Sequence, residues 1–461
     1  MKKTKYISSK PLRSVVVFLL CILVAMILQA LFSNPGFSDS QHYVLFLLFF
    51  SIALWFTEVI PPFAVGLLIM SFLVFALGNP YFNSAPENIE RYVTTFSSSI
   101  IWLMLGGFFL AVAMTKTKLD EALFRFTIQL SGTKPRNLLI GLMGTTMVAS
   151  MLMSNTATTA MIIAAVTPLL LKLGKEAGLT KALLLGVPIA ATLGGMGTII
   201  GTPPNAIAAG ALEHAGIRMN FLSWLAYGMP LAVVLTAIAC LVLIVIFVKN
   251  NQPLDLDFIK TNDEPLIPEL KLHRRIVLTV IVITILLWLM GSLFDITVAS
   301  VSAFPIVVLT LTRILKGDDI RALPWDTLLL VAGGLSLGIA LQQTGLLEIY
   351  ADKIGRLNIG SKGFLFLFAF LTMVLSNIMS NTAASTVLIP LGMAILPEMK
   401  TEIAMIVGLC ASTALFLPVS TPPNAIAYST GLIEQKDFRL GGALIGILGP
   451  LLVILWVLFI S

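Results

Sequence analysis

Two short polar motifs each occur twice along this chain, in the same order. Ser-Asn-Thr occupies residues 154–156 and 380–382, and Thr-Pro-Pro occupies residues 202–204 and 421–423. Their hydroxyl, amide and backbone carbonyl oxygens suit a hard cation such as Na⁺, and the N-terminus of a helix that starts at such a motif attracts anions. The two copies therefore predict a pair of related ion sites, one from each half of the chain.

Further polar groups stand at matched positions beside the motifs. A serine precedes each Ser-Asn-Thr by four residues, and a backbone carbonyl lies just before each Thr-Pro-Pro. Each motif asparagine carries both an acceptor and a donor, so that it can link a cation to a carboxylate. The predicted Na⁺ ligands are accordingly Ser150, Asn155, Gly201, Ser376, Asn381 and Ser420.

A single copy of either motif has a more ordinary explanation. Ser-Asn-Thr alone is usually a helix cap or a hydrogen bond between helices, and Thr-Pro-Pro alone is usually a turn in a loop. Two copies of both, in matched order within apolar sequence, favour instead a substrate site between two repeats of a membrane protein.

The remaining side chains argue against several classes of function. No Asp, Glu or His lies deep within the predicted apolar spans, which disfavours a proton-coupled carrier. The sequence has no Gly-rich phosphate-binding loop for ATP and no nucleophile–base pair for an enzyme. Cys21, Cys240 and Cys410 lie within apolar runs, as buried hydrophobes without metal-site spacing. A channel remains an alternative, because channels also use polar re-entrant loops.

The chain as a whole has the composition of a membrane protein. Of its 461 residues, 57% are hydrophobic and only 11% are charged, and the mean hydropathy is +0.98. A soluble domain carries about 25% charged residues. Apolar runs of about 20 residues, enough to cross the hydrocarbon core as a helix, recur along the chain. The predicted fold class is an all-α polytopic membrane protein.

About eleven transmembrane helices are predicted, and two of them are broken. Consecutive prolines end a helix, so that residues 182–212 and 401–433 are each expected to form two half-helices. Residues 137–172 and 363–397 carry a Ser-Asn-Thr between arms of about 16 residues, short for a crossing, and are predicted to be re-entrant hairpins. The other spans are expected near 14–32, 43–60, 62–78, 98–114, 222–248, 276–294, 296–315, 326–343 and 441–460.

The distribution of basic residues sets the predicted orientation. With the N-terminus in the cytoplasm, most of the 29 Lys and Arg residues fall on the cytoplasmic side, in agreement with the positive-inside rule. The first apolar run is long for a signal peptide and is predicted to be retained as a helix. The C-terminus then lies outside, and the expected location is the cytoplasmic (inner) membrane. The basic residues predicted outside are Arg91, Arg218, Lys353, Arg356, Lys362 and Lys400.

The two halves are predicted to be inverted repeats. A Gly-Gly pair lies within one span of each half, and an amphipathic segment expected to lie in the lipid interface follows each of these spans. The first such segment falls inside and the second outside, which indicates opposite orientations. The predicted domains are residues 1–248 with the first repeat, a cytoplasmic linker over 249–275, and the second repeat over 276–461.

The paired motifs resemble those of the divalent anion/sodium symporter (DASS) family, the sodium/dicarboxylate cotransporters, over nearly the whole chain. The resemblance implies a homodimer in which a transport domain moves like an elevator against a scaffold domain. It implies that Na⁺ binds near the ligands named above. The residues that it places around the substrate carboxylates are Ser154, Asn155, Thr156, Thr202, Pro203, Ser380, Asn381, Thr382, Thr421 and Pro422.

The implied function is import of C4-type dicarboxylates such as succinate, malate or fumarate, coupled to at least two Na⁺ per cycle. Some family members exchange two carboxylates without sodium, and such an antiporter is the alternative. The hydroxyl-rich pairs 158–159 and 385–386 after the two Ser-Asn-Thr motifs, with no basic residue beside them, resemble the sodium-coupled branch. No cofactor other than Na⁺, no enzyme activity and no nucleic-acid partner are expected.

Overall fold

The structure is a computed structural model that describes residues 10–255, 267–291, 294, 296–355 and 359–461. About 79% of the chain is helical, and the described residues contain no strand. The prediction of an all-α fold is confirmed. Some parts of the predicted topology lie outside the described residues, namely linker residues 256–266 and the basic residues Lys2, Lys3, Lys5, Lys260 and Arg356.

The described helices follow one another with mostly short connections. Ten helical segments are long and apolar enough to cross a membrane, or up to eleven if one bent pair counts as a single span, which agrees with the prediction of about eleven. The helices are α1 Lys10–Phe32, α2 Asp39–Thr57, α3 Pro62–Gly78, α4 Glu90–Val93, α5 Ser99–Lys116, α6 Leu119–Ser131, α7 Pro135–Ser150, α8 Asn155–Leu173, α9 Gly178–Gly195, α10 Pro203–His214, α11 Phe221–Phe247, α12 Pro268–Met290, α13 Val298–Leu311, α14 Gly317–Arg321, α15 Trp325–Gln343, α16 Leu346–Gly355, α17 Ser361–Ile378, α18 Asn381–Ile395, α19 Lys400–Cys410, α20 Pro422–Ser429 and α21 Phe438–Ile460.

The outer surface of these helices is apolar. Leu31 of α1 is 72% exposed, Leu241 of α11 is 62% exposed and Phe459 of α21 is 79% exposed. Lipid tails solvate such side chains, whereas water would oppose their exposure by roughly 25 cal/mol per Å². Lipid offers no partner for backbone polar groups, and α-helices satisfy those groups internally. The surface therefore matches an integral membrane protein.

Two pairs of helices approach closely through small residues. A Cβ added to Gly333 of α15 would lie 2.3 Å from the Cα of Gly66 in α3. A Cβ added to Gly106 of α5 would lie 2.8 Å from the Cβ of Ser302 in α13. Membrane helices associate through such small residues because lipid provides no hydrophobic force between them. These contacts leave no room for a larger side chain.

The second glycine of each Gly-Gly pair faces a segment that carries a motif. A Cβ on Gly107 would lie 2.9 Å from Cδ1 of Ile200, in the connection between α9 and α10. A Cβ on Gly334 would lie 2.8 Å from Oγ1 of Thr386, in α18. α5 and α15 thus occupy comparable places beside the motifs of the two halves, and the inverted relation of the halves stays a prediction.

The short helices that follow the Thr-Pro-Pro motifs pack on the opposite half of the chain. α10 contacts α18 and α19, and α20 contacts α8 and α9. Helices as short as α10 and α20 are marginal alone and depend on tertiary packing. The motif regions of both halves therefore share one core.

Several ion pairs gather basic residues at one end of the molecule. Lys116 at the end of α5 pairs with Asp319 of α14, and Lys172 pairs with Asp255 at 2.7 Å. Glu434 pairs with Lys436 at 2.8 Å and with Lys175 at 3.1 Å. These lysines all belong to the set predicted to be cytoplasmic, and we call this end the basic end. Its orientation in a membrane stays a prediction.

Candidate functional site

Four helices begin at the wall of one cavity. α8 and α18 start within the Ser-Asn-Thr motifs, and α10 and α20 start within the Thr-Pro-Pro motifs. The cavity has a volume of about 710 Å³. The assignment of its lining residues to substrate stays a prediction, although the structure brings both copies of both motifs together. All the residues predicted to meet substrate line this cavity: Ser154, Asn155, Thr156, Thr202, Pro203, Ser380, Asn381, Thr382, Thr421 and Pro422.

The serines of the Ser-Asn-Thr motifs cap the helices that follow them. Oγ of Ser154 accepts a hydrogen bond from the N–H of Ala157 at 3.1 Å. Oγ of Ser380 accepts one from the N–H of Ala383 at 3.2 Å. A serine cap satisfies one of the unpaired N–H groups in a first turn, so that the N–H groups of the first helical positions stay available to an anion. The positive end of each helix dipole also faces the cavity.

The Thr-Pro-Pro motifs present a different kind of helix start. Prolines occupy the first positions of α10 and α20. Proline suits a helix start because its φ is fixed near the helical value, but it has no N–H to donate. α10 and α20 therefore direct a dipole at the cavity without anion donors in those positions. The helix starts with free backbone N–H groups at the cavity are therefore the two Ser-Asn-Thr ends, one in each half.

The predicted first cation site gathers oxygens beside Gly195. Oγ of Ser150 donates a hydrogen bond to Oδ1 of Asn155 at 2.6 Å. A Cβ placed on Gly195 would lie 2.6 Å from that Oδ1 and 3.1 Å from the carbonyl oxygen of Gly201. The two oxygens therefore face the same small space, which any side chain at position 195 would fill. Hydroxyl, amide and carbonyl oxygens in this arrangement fit Na⁺.

The predicted second cation site contains buried oxygens without a hydrogen-bond partner. Among the residues that the structure describes, neither Oγ of Ser376 nor Oδ1 of Asn381 has one. A buried unpaired oxygen costs about 1–3 kcal/mol, and a cation that took both as ligands would remove that cost. Oγ of Ser420, at the third predicted ligand, donates to Oδ1 of Asn377 at 2.8 Å. This set of oxygens also fits Na⁺.

The two hydroxyl pairs that follow the Ser-Asn-Thr motifs, residues 158–159 and 385–386, are buried. Within the described part of the chain, the hydroxyls of Thr158, Thr159 and Ser385 lack a hydrogen-bond partner. The hydroxyl of Thr386 donates to the carbonyl oxygen of Thr382 at 2.9 Å. These hydroxyls lie in the first two turns of α8 and α18.

Two asparagines that the sequence analysis missed hold the connections before α10 and α20. Nδ2 of Asn205 donates to the carbonyl oxygens of Gly195 and Thr198, at 2.9 and 2.7 Å. Nδ2 of Asn424 donates to the carbonyl oxygens seven and nine residues before it, at 3.0 and 3.3 Å. Each asparagine directly follows a Thr-Pro-Pro motif. That recurrence was the signal that could have identified them.

The cavity wall also holds one amide and two carboxyl side chains that were not predicted. Asn377, Glu58 and Asp326 line the cavity. Asn377 carries no repeat signal, because the matching position of the first half holds Met151. Asp326 lies in the first turn of α15, where acidic residues are ordinary, and Glu58 is the residue that directly follows α2. The lining residues that the structure describes include no Lys, Arg or His.

The cavity reaches toward the basic end of the molecule. Nε2 of Gln41, near the start of α2, donates to the carbonyl oxygen of Thr344, just after the end of α15, at 2.9 Å. α2 and α15 therefore run in opposite directions, and Glu58 after α2 lies at the same end as Asp326 at the start of α15. α14, which pairs with Lys116, directly precedes α15. Both acidic side chains of the cavity thus lie on its basic-end side.

Comparison with known families identifies the kind of protein. A family model described as citrate transporter (CitMHS) matches residues 52–404. The chain belongs to the citrate transporter family. Relatives named sodium-dependent dicarboxylate transporter match over most of its length, so that the resemblance to the sodium/dicarboxylate cotransporters is confirmed.

Proteins named as transporters resemble most of the chain. A protein named uncharacterized transporter from Haemophilus influenzae is 30% identical over 89% of this chain and 90% of its own length. The sodium-dependent dicarboxylate transporter SdcS of Staphylococcus saprophyticus is 28% identical over 93% of this chain and 88% of its own length. SdcS of Staphylococcus aureus strain USA300 is also 28% identical, over 91% of this chain.

Solved structures share the fold at low sequence identity. The YdaH transporter of Alcanivorax borkumensis has a TM-score of 0.58 and is 12% identical over 87% of this chain and 99% of its own. MtrF of Neisseria gonorrhoeae, described among antimetabolite efflux pumps, has a TM-score of 0.59 and is 12% identical over 96% of this chain and 94% of its own. The family and the fold together make this chain a membrane transporter.

Proposed function

We propose that this transporter imports C4-type dicarboxylates, such as succinate, malate or fumarate, together with Na⁺. The proposal depends on one observation: both Ser-Asn-Thr motifs line a cavity whose described wall includes no basic side chain. A dianion in this cavity needs counter-charges, because a buried unpaired charge is very costly. Bound Na⁺ and the N-terminal ends of helices supply them.

The number of donor ends favours two carboxylates over three. The name citrate transporter makes a tricarboxylate the competing substrate. α8 and α18 each direct free N–H groups at the cavity, whereas prolines remove those donors from α10 and α20. Two carboxylates therefore match the available ends, one for each half. The relatives named sodium-dependent dicarboxylate transporter support the same substrate class.

Sodium would be held by the oxygens that the two halves provide. Ser150, Asn155 and the carbonyl of Gly201 would form one site, and the equivalent residues of the second half would form the other. Two Na⁺ neutralise a dianion, so that at least two per cycle are proposed. Each motif asparagine then contacts an ion through its oxygen and a substrate carboxylate through its nitrogen.

The proposed cycle is alternating access. In the predicted topology the basic end is cytoplasmic, so that the cavity reaches inward in this structure. The repeats over 1–248 and 276–461, joined by the linker 249–275, would carry the re-entrant hairpins 137–172 and 363–397 as a moving transport domain. A homodimer in the inner membrane, with α6 and α16 lying along the lipid interface, completes the proposal from the family resemblance.

Transport by reconstituted protein tests the proposal. Sealed proteoliposomes are supplied with labelled succinate in the presence of Na⁺, with choline replacing Na⁺ as the control. We expect accumulation only with an inward Na⁺ gradient. Equal uptake in choline would contradict sodium coupling, and a requirement for carboxylate loaded inside would support the antiporter. Flux that never exceeds equilibrium would indicate a channel, and uptake of labelled citrate but not of labelled succinate would reverse the substrate assignment.

A further inference from the structure

One amide in the second half links the two segments that carry the predicted cation ligands. Oδ1 of Asn377 accepts hydrogen bonds from Oγ of Ser420 at 2.8 Å and from the N–H of Phe416 at 2.9 Å. Nδ2 of Asn377 donates to the carbonyl oxygen of Met373 at 2.8 Å. Two hydrogen bonds therefore join the end of α17 to the connection before α20, and the third, to Met373 within α17, fixes the orientation of the amide.

The first half makes the same connection without a side-chain amide. Met151 follows Ser150 as Asn377 follows Ser376. Here the hydroxyl of Thr198, in the connection before α10, donates to the backbone carbonyl of Met151. In the first half the hydroxyl of Thr198 therefore makes this connection. Gly201, the predicted ligand, has no side chain and makes no bond comparable to that between Ser420 and Asn377.

The predicted ligands of the two halves differ in their hydrogen bonding as well. In the first half the hydroxyl of Ser150 is bonded to Asn155. In the second half the equivalent oxygens, Oγ of Ser376 and Oδ1 of Asn381, are buried and have no partner among the described residues. The predicted ligands of the first half are therefore hydrogen-bonded to each other, whereas the equivalent oxygens of the second half are available to an ion.

We propose that Asn377 is a positioning residue that keeps the second cation site formed without an ion, so that this site binds Na⁺ before the first. The inference rests on the proposed function, because it takes Na⁺ to bind at both motifs. An ion at the second site gains two oxygens without breaking a bond. An ion at the first site must displace the bond between Ser150 and Asn155, which corresponds to about a fivefold to tenfold loss of affinity.

Ser420 is the residue through which Asn377 acts. Oγ of Ser420 accepts from the N–H of Leu417 at 3.0 Å and donates to Asn377. With both bonds in place, its backbone carbonyl and remaining lone pair have fixed directions. Loss of Asn377 would release the connection from α17 and let the ligands of the second site separate.

Direct binding of Na⁺ to the purified full-length protein tests the inference. Binding of ²²Na⁺ without substrate is measured for the wild type, for Asn377→Leu and for the matched first-half change Thr198→Val. We expect two phases in the wild type, about fivefold to tenfold apart. Asn377→Leu should remove the tighter phase, and Thr198→Val should leave it in place.

Two further variants separate positioning from a general loss of structure. The change Asn377→Asp keeps an acceptor for Ser420 and Phe416, and should retain the tighter phase even if Asn377→Leu folds poorly. The pair Asn377→Leu with Ser420→Ala should lose no more affinity than Asn377→Leu alone, because coupled residues are not additive. Succinate affinity at saturating Na⁺ should stay at the wild-type value in Asn377→Leu.

The outcomes that overturn the inference differ from those that overturn the proposed function. If Asn377→Leu keeps both phases, or if Thr198→Val removes the tighter one, the inference is wrong while sodium coupling stands. A fall in succinate affinity at saturating Na⁺ would make Asn377 a substrate ligand and would also overturn it. If the wild-type protein binds no ²²Na⁺ at all, the proposed function of sodium-coupled import is itself wrong.

Discussion

The hydroxyl of Ser150 and the amide oxygen of Asn155 form a hydrogen bond of 2.6 Å between the last residue of α7 and the first residue of α8. The bond closes the turn that contains the first Ser-Asn-Thr motif. Both atoms are also predicted ligands of Na⁺. An ion that binds there must therefore redirect the hydroxyl proton of Ser150 away from Asn155.

Replacing either motif asparagine should weaken transport severely. Asn155→Ala and Asn381→Ala each remove an oxygen proposed to bind Na⁺ and a donor proposed to bind a carboxylate. A hydrogen bond to a charged group is worth about 1.5–3 kcal/mol, which corresponds to roughly a tenfold to hundredfold loss of affinity. Initial rates of succinate uptake against substrate and Na⁺ concentration measure this loss. Near-normal rates in both variants, at normal protein level, would mean that the motifs are structural.

A single methyl group beside Asn155 should block the first cation site. In Gly195→Ala the new Cβ would lie 2.6 Å from Oδ1 of Asn155 and 3.1 Å from the carbonyl of Gly201, in the space proposed for the ion. We expect a loss of Na⁺-dependent uptake with little loss of folded protein. The matched control is Gly144→Ala in α7, because a Cβ on Gly144 has nothing within 4 Å. Equal transport by both variants would contradict the placement of the site.

The contact between α3 and α15 should be sensitive to any added volume. Gly333→Ala would place a Cβ 2.3 Å from the Cα of Gly66, and overpacking of this kind typically costs 1–3 kcal/mol. The melting temperature in detergent should fall, while the Na⁺ concentration for half-maximal uptake by the surviving protein should not change. An unchanged melting temperature would show that α3 and α15 can move apart without loss of stability.

The acidic residue before α21 should make stability depend on pH. Hydrogen bonds from Lys436 and Lys175 lower the pKa of Glu434 from 4.5 to about 2. A lowered pKa in the folded state stabilises the protein above the unfolded value of 4.5, and this contribution is lost as the pH falls toward 2.

The variant Glu434→Gln tests that contribution. Its melting temperature should lie slightly below the wild-type value at pH 7, and the difference should shrink as the pH falls below 4.5. Exposed ion pairs are weak and are screened by salt, so that 1 M salt should shrink the difference as well. A difference that is constant over pH and salt would point to packing rather than charge. Lys175→Met should show the same trends.

Transport should carry at least two Na⁺ with each dianion. Entry of two negative charges against an inside-negative potential costs about 4.6 kcal/mol per 100 mV, at about 2.3 kcal/mol for each charge. Two Na⁺ would cancel this cost, and a third would let the potential drive uptake. Uptake is measured against Na⁺ concentration with a valinomycin-imposed potential. A Hill coefficient near one, with uptake slowed by an inside-negative potential, would mean fewer than two Na⁺.

The sequence was sufficient for the fold class and for bringing the motifs together. Apolar runs of membrane length predict helices without tertiary information, and the consecutive prolines of Thr-Pro-Pro predict the starts of α10 and α20 because they interrupt one helix and suit the first positions of the next. The meeting of both motifs at one cavity followed from their repetition. Predictions of this kind succeed where the sequence pattern alone determines the structure.

The side chains that complete the cavity could not be predicted in this way. Asn377 has no copy in the first half, and two of its three hydrogen bonds depend on where the connection before α20 lies. Ser150 is hydrogen-bonded to Asn155, whereas the equivalent oxygens of Ser376 and Asn381 have no partner among the described residues. Spacing along the sequence does not determine the distances on which this difference depends. Glu58 and Asp326 reach the cavity only because α2 and α15 run in opposite directions.

The packing of α10 on α18 and of α20 on α8 has a mechanical consequence. Each half holds the other at the motif helices, so that in the proposed cycle neither ion site can cross the membrane while its counterpart stays behind. Both ions and the substrate would therefore move together. Coupling then depends on which combinations of bound Na⁺ and substrate allow that movement. A chain cut within 249–275 would therefore still leave the two sites joined, through side-chain packing alone.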